Sequence, residues 1–302
     1  MLIYGGIVPS RLHSLSKEEC NERLQILEQV KKQNQKLKIY AFNLIMRAPA
    51  YSSSEEEPDY YKLYGREIFR FGWLTDKMEK EKPDKNEETE LLSIQEKVPA
   101  DILSDFLNRR EVNFTVNQKV INLTNKEIID FLIIPLDDNS KYGFSPKEQR
   151  QLILQVEELN LLDRVSIYPG ADEIGCTLFA NVFCEVKNYV PRIFVRYSST
   201  KGPEIIPKYE DRSLNESIKS HITASGGIML DYSQDADILL MVNSPAVGEF
   251  NVAEQGTYKE RHRSYFSEVH LQEFVRVMEF YLNEKSLLLW LISLPVTEVI
   301  TF

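Results

Sequence analysis

Short apolar runs alternate along this chain with stretches whose apolar positions recur every three or four residues, the pattern of buried strands separated by amphipathic helices. The plainest run is Phe131-Leu-Ile-Ile-Pro-Leu136, too short for a helix, rich in β-branching and followed at once by Asp137 and Asp138. It reads as a fully buried strand of a parallel sheet. Further strands are expected at Leu2 to Val8, Leu37 to Met46, Val165 to Tyr168, Arg192 to Tyr197, Ile228 to Leu230 and Ile238 to Val242. The helices between them are marked by their ends. Ser16 with Glu19 makes a capping box for a helix ending near Asn34, and Glu55-Glu56-Glu57-Pro58 favours the positive end of another. Pro99 opens a long helix towards Asn125, Ser145-Pro146 one to about Asn160, and Asp172-Glu173 one that follows the fourth strand. Ser213 to Ser225 is a helix stopped by Gly226-Gly227, and His270 to Asn283 is the last clear one.

Such alternation makes an α/β fold with a mainly parallel sheet and right-handed crossovers. Seven expected strands are one short of an eightfold barrel, so an incomplete (β/α)8-barrel-like arrangement is expected. A doubly wound, Rossmann-like sheet, or two of them, is the alternative, and periodicity does not separate the two. Tyr60 to Trp73 is rich in aromatics and reads as core, while Glu79 to Glu90 is almost entirely charged and reads as a solvated excursion.

In parallel α/β folds the carboxyl ends of the strands hold the ligand, so the polar residues there are the site candidates. Asp137 and Asp138 come first, as a catalytic pair; Arg47, Tyr51, Asp172, Glu173, Arg196 and Asn243 follow other strands and are candidate substrate contacts. For Asp172-Glu173 the competing reading is helix capping.

Composition narrows the partners. The 302 residues are 43% hydrophobic and 27% charged, ordinary for a globular protein, and 46 acidic against 36 basic residues give a formal charge of -10. That balance disfavours nucleic acid and suits a neutral or cationic small molecule. Cys20, Cys176 and Cys184 form no CxxC, and the latter two stand about 12 Å apart on a helix, so all three read as buried thiols of a reducing cytoplasm. No signal peptide and no membrane-length apolar run is present in the sequence.

Several blocks carry a resemblance: Tyr4-Gly-Gly-Ile-Val-Pro-Ser-Arg11, Tyr40-Ala-Phe-Asn-Leu-Ile-Met-Arg47, Tyr51 to Tyr60, Phe131 to Asp138, Tyr168-Pro-Gly-Ala-Asp-Glu173 and Arg196-Tyr-Ser-Ser-Thr200. Together, over residues 1 to about 285, they resemble the bacterial family catalogued as domain of unknown function 4127. The resemblance implies no particular activity. It implies an α/β domain over 1–285 that lacks an N-terminal segment, in keeping with a strand at residue 1. Residues 286–302 depart from the family pattern and read as an aberrant tail, as from a shifted reading frame.

Paired carboxylates at strand ends suit hydrolysis of glycosidic bonds, with one acid protonating the leaving oxygen and the other acting as base, nucleophile or orienting group, and Asp137 and Asp138 are the leading acid and orienting pair. Two alternatives stand beside this: a magnesium- or manganese-dependent hydrolase using Asp137, Asp138, Asp172 and Glu173, and a non-catalytic sugar- or metabolite-binding protein. No other cofactor is expected, because the histidines (His13, His221, His262, His270) have no zinc spacing and no Walker, dinucleotide or GxSxG signature occurs.

Overall fold

A computed structural model describes residues 1–4, 15–137, 139–207, 210–244 and 269–283, and the backbone of 287–292. The chain divides into two compact units, Met1–Ala171 and Asp172–Phe302.

The first unit runs β1 (Leu2–Tyr4), α1 (Lys17–Gln33), β2 (Ile39–Phe42), α2 (Tyr61–Lys80), α3 (Lys85–Lys97), α4 (Ala100–Asn125), β3 (Phe131–Leu136), α5 (Phe144–Glu158) and β4 (Val165–Pro169). Its strands pair in parallel in the order β1-β2-β3-β4, the consecutive order found in a barrel. Leu24 and Leu27 of α1, Val116, Val120 and Ile121 of α4, and Leu152 and Val156 of α5 pack with Ile39, Ala41, Leu132 and Ile134 as the main core. At 26 residues α4 is about 39 Å long, more than its strands span. Its first half therefore joins a second core with α2 and α3, in which Phe106 meets Tyr61 and Ile68.

The second unit runs α6 (Ile174–Lys187), β5 (Arg192–Tyr197), α7 (Leu214–Ala224), β6 (Ile228–Leu230), β7 (Ile238–Asn243), α8 (Leu271–Asn283) and β8 (Leu287–Ile292). Its sheet is also parallel, ordered β6-β5-β7-β8, so the winding reverses beside β5 as in doubly wound folds. The mainly parallel α/β fold expected from the sequence is thus present, its strands shared between two four-stranded sheets. The eighth strand is Leu287–Ile292, at the start of the stretch read as an aberrant tail, and it pairs with β7 through six residues.

Several local readings need correction. Glu55-Glu56-Glu57 does not open a helix: α2 begins at Tyr61 without an acidic first turn, and the carboxylates are used elsewhere. The N-cap of α5 is Gly143, at φ 141°, a value glycine tolerates, and Ser145 lies inside the helix donating to the Met46 carbonyl at 3.2 Å. Glu79 to Glu90 is mostly exposed, as expected, but it includes the close of α2 and the start of α3, joined by Lys77–Glu87 and Arg70–Glu90 ion pairs. Cys20 and Cys184 are buried as expected, whereas Cys176 is exposed. Among the described residues no helix is long and apolar enough to cross a membrane.

Candidate functional site

Pro135 is the penultimate residue of β3 and has no N–H to give its neighbour. The regular ladder of β2 stops at Phe42, although Asn43 and Ile45 still donate from their backbones to the carbonyls of Ile133 and Pro135 at 3.1 and 3.0 Å. Beyond Phe42 the remaining backbone groups are met by side chains of α4. Asn113 donates to the Leu44 carbonyl at 2.9 Å and accepts from Met46 N–H at 3.0 Å, and Arg110 donates to the Met46 carbonyl at 2.7 Å. Asn117 accepts from the Asn43 amide at 2.7 Å and donates to Asn113 at 3.3 Å. Buried peptide groups must be paired, and here a helix supplies what a strand would have supplied.

This held segment delivers Arg47 to the carboxyl end of β3. Its guanidinium is only 10% exposed and meets three carboxylates: Glu57 on Nε at 2.8 Å, Glu56 on Nη2 at 2.6 Å and Asp137 on Nη1 at 3.2 Å. Glu57 is sealed at 1% exposure, Asp137 is at 16% and Glu56 at 62%, so the cluster runs from core to solvent. Two of the acidic triplet that reads as helix capping, Glu56 and Glu57, are therefore part of a clamp on an arginine. Tertiary ion pairing has overridden a local preference worth less than about 1 kcal/mol. Among these carboxylates the guanidinium occupies the place a cation would take. Among the described residues no group of three or more His, Cys, Asp and Glu is arranged to hold a metal ion.

Arg110 lies beneath, 2% exposed, bound to Glu148 at 2.8 Å and resting 4.9 Å above the Phe144 ring. Burial pushes the Glu148 carboxyl above the usual range, opposed by Arg110. Tyr51 is 37% exposed on the loop after Arg47. The backbone of that loop packs so closely on α2 that a Cβ on Gly65 would come within 2.5 Å of the Tyr51 carbonyl. Asp138 lies outside the described residues.

The other candidates belong to the second unit. Asp172 is exposed, and Glu173 is the N-cap of α6 without a side-chain cap bond, its carboxylate 3.7 Å from His221 Nδ1. Arg196 is the penultimate residue of β5 and pairs with Glu273 of α8. Asn243 ends β7, its Oδ1 3.0 Å from Ser198 Oγ, beside the point where the winding reverses. Arg47 and Asp137 are thus brought into contact within the first unit, and Asp172, Glu173, Arg196 and Asn243 fall in the second.

Sequence reading missed Glu210 and Ser217, both of the second unit. Ser217 of α7 donates to the Glu210 carboxylate, and burial raises that carboxyl to about 7 against the Ser217 hydrogen bond. A carboxyl raised on folding binds its proton more tightly when folded, so its stabilising share is complete below about pH 4.5 and is lost as pH climbs towards 7. Glu210→Gln is expected to flatten the fall in urea midpoint between pH 5 and pH 7.5. An unchanged slope would rule that share out.

The family described as "Protein of unknown function (DUF4127)" matches residues 1–290 of the chain. No curated protein and no solved structure matches it.

Proposed function

The chain belongs to the DUF4127 family, whose description names no activity, and from the strand-end geometry we propose that it hydrolyses glycosidic bonds at the carboxyl edge of its first sheet. The observation that carries this reading is the Arg47 clamp. Asp137 and Glu56 are both partly open to solvent and are tied to the two terminal nitrogens of one guanidinium. That geometry keeps their bonded oxygens no more than about 8 Å apart, below the upper limit of roughly 9.5 Å for carboxylate pairs that flank a glycosidic bond.

Asp137, held in place by Arg47, is the base or nucleophile. The proton donor is a second carboxylate, Glu56 on the same guanidinium or Asp138, the next residue in the sequence. Tyr51 supplies a ring face and hydroxyl for a sugar. The substrate is a small carbohydrate, and a cytoplasmic setting fits the unpaired thiols.

A panel of 4-nitrophenyl glycosides tests this. At least one is expected to be cleaved by the full chain in the presence of chelator, with Asp137→Asn lowering kcat by about 10²–10⁴-fold. Asp138→Asn and Glu56→Gln then identify the acid by comparison with alkyl glycosides: an activated aryl leaving group needs little protonation, so loss of the acid slows cleavage of an alkyl glycoside far more than that of the 4-nitrophenyl one. Cleavage of no member, or full activity in Asp137→Asn, ends the proposal; sugar binding without turnover would make the protein a binding module instead.

A further inference from the structure

The second unit holds a cavity of about 390 Å3 that none of the clamped carboxylates lines. Its floor is one face of β5, where Phe194 and Arg196 project at alternate positions, and its wall is a stripe of α8 carrying Arg276, Phe280 and Tyr281. The opening has a structural cause. α8 is seated on Leu239 and Met241 of β7 through Phe274, while β6, on the other flank of β5, is only three residues long. Among the described residues, the far flank of the helix therefore overhangs β5 with no neighbour filling the space beneath. Tyr281 closes one end by donating to Ser233 Oγ at 2.6 Å.

We infer that this cavity binds a small molecule joining a planar ring to an anionic group. Three aromatic side chains line a volume within the usual 300–1,000 Å3 range of small-ligand sites, and rings supply flat stacking faces. Two guanidinium groups face the same space against one carboxylate, an excess of positive charge in a chain whose formal charge is -10. Arg196 is held in place by Glu273, yet its Nε is buried and has no hydrogen-bond partner among the described residues. That N–H lies out of reach of an entering ligand, but the Arg196 side chain as a whole is 41% exposed, and its terminal N–H groups can pair with a carboxylate or phosphate oxygen. Arg276 is exposed and has no ion pair among the described residues, so its planar fork is available to the same anion.

A nucleotide and an aromatic carboxylate share this chemistry. Titration calorimetry on the full chain with AMP and with benzoate, and with adenosine as the uncharged control, distinguishes them. At least one anion is expected to bind with a millimolar or tighter Kd; AMP alone marks a nucleotide site, benzoate alone a carboxylate site. Arg276→Gln and Phe280→Ala, both at exposed positions, are expected to weaken that binding at least threefold with an unchanged thermal midpoint. The inference is overturned if neither anion gives heat above dilution, if either variant binds within threefold of the parent, or if adenosine binds as well as AMP. Because none of these readouts involves the Arg47 clamp, failure here leaves the glycoside reading standing, and the reverse.

Discussion

Replacing Arg47 with methionine is expected to lower the free energy of unfolding by about 3–5 kcal/mol, a large part of the roughly 5–15 kcal/mol that holds a domain together. The cost falls mainly on Glu57. With 1% of its side chain exposed, it would be left as a buried charge without the Nε contact it now has at 2.8 Å. Glu56, at 62% exposure, adds little, since solvent screens it whether or not the arginine is there. Arg47→Lys is expected to recover only part of the loss, because one ammonium cannot present separate N–H groups to three carboxylates. Glu57→Gln in the Arg47→Met background should restore stability relative to Arg47→Met alone, as it removes the stranded charge. Urea unfolding of the four proteins measures all of this, and a loss below about 1 kcal/mol in Arg47→Met would show that the clamp bears no load.

Arg110→Met should be comparably severe, again about 3–5 kcal/mol, for a different mixture of reasons. The change removes the partner of Glu148 and the donor to the Met46 carbonyl together, and it takes a cation off the Phe144 ring. Part of the penalty depends on pH. Burial already raises the Glu148 carboxyl, and without Arg110 opposing it that rise would grow. A carboxyl raised further on folding takes up its proton more readily in the folded state, so the variant is relieved at low pH and penalised at high pH. The measured loss should therefore be larger at pH 8 than at pH 5, and a loss independent of pH would place its origin in packing alone. The two arginines are not independent, for Arg110 Nη1 also approaches the Arg47 carbonyl at 3.4 Å, so a double variant should fall short of the sum.

Much of this architecture is legible in the sequence, and the exceptions have physical reasons. A strand such as Phe131–Leu136 declares itself because a buried parallel strand needs a short apolar run and little else. Which strands become neighbours is set by packing between distant elements, so the partition into two sheets and the reversal beside β5 leave no mark on periodicity. The acidic triplet before Pro58 is the instructive error: three carboxylates and a proline satisfy every local rule for a helix start, and an arginine ten residues upstream of Glu57 claims two of them, Glu56 and Glu57, instead. Asp137 can be found as a polar residue after an apolar run. Its partner geometry cannot, because that depends on α4. One signal for α4 was present, since Arg110, Asn113 and Asn117 recur at the spacing of a helix face in a segment whose other buried positions are mainly apolar. Polar residues at core positions usually have a specific partner to satisfy, and here it is the backbone around residue 45.

That arrangement bears on how the edge of the first sheet can change. Arg47 owes its position to amides some seventy residues further along the chain, so a substitution in α4 can re-aim the guanidinium, and with it Asp137, while every group that would touch a substrate keeps its identity. Laboratory evolution for altered selectivity would then do better to randomise positions 113 and 117 than the rim itself, harvesting small displacements where direct replacement would only delete contacts.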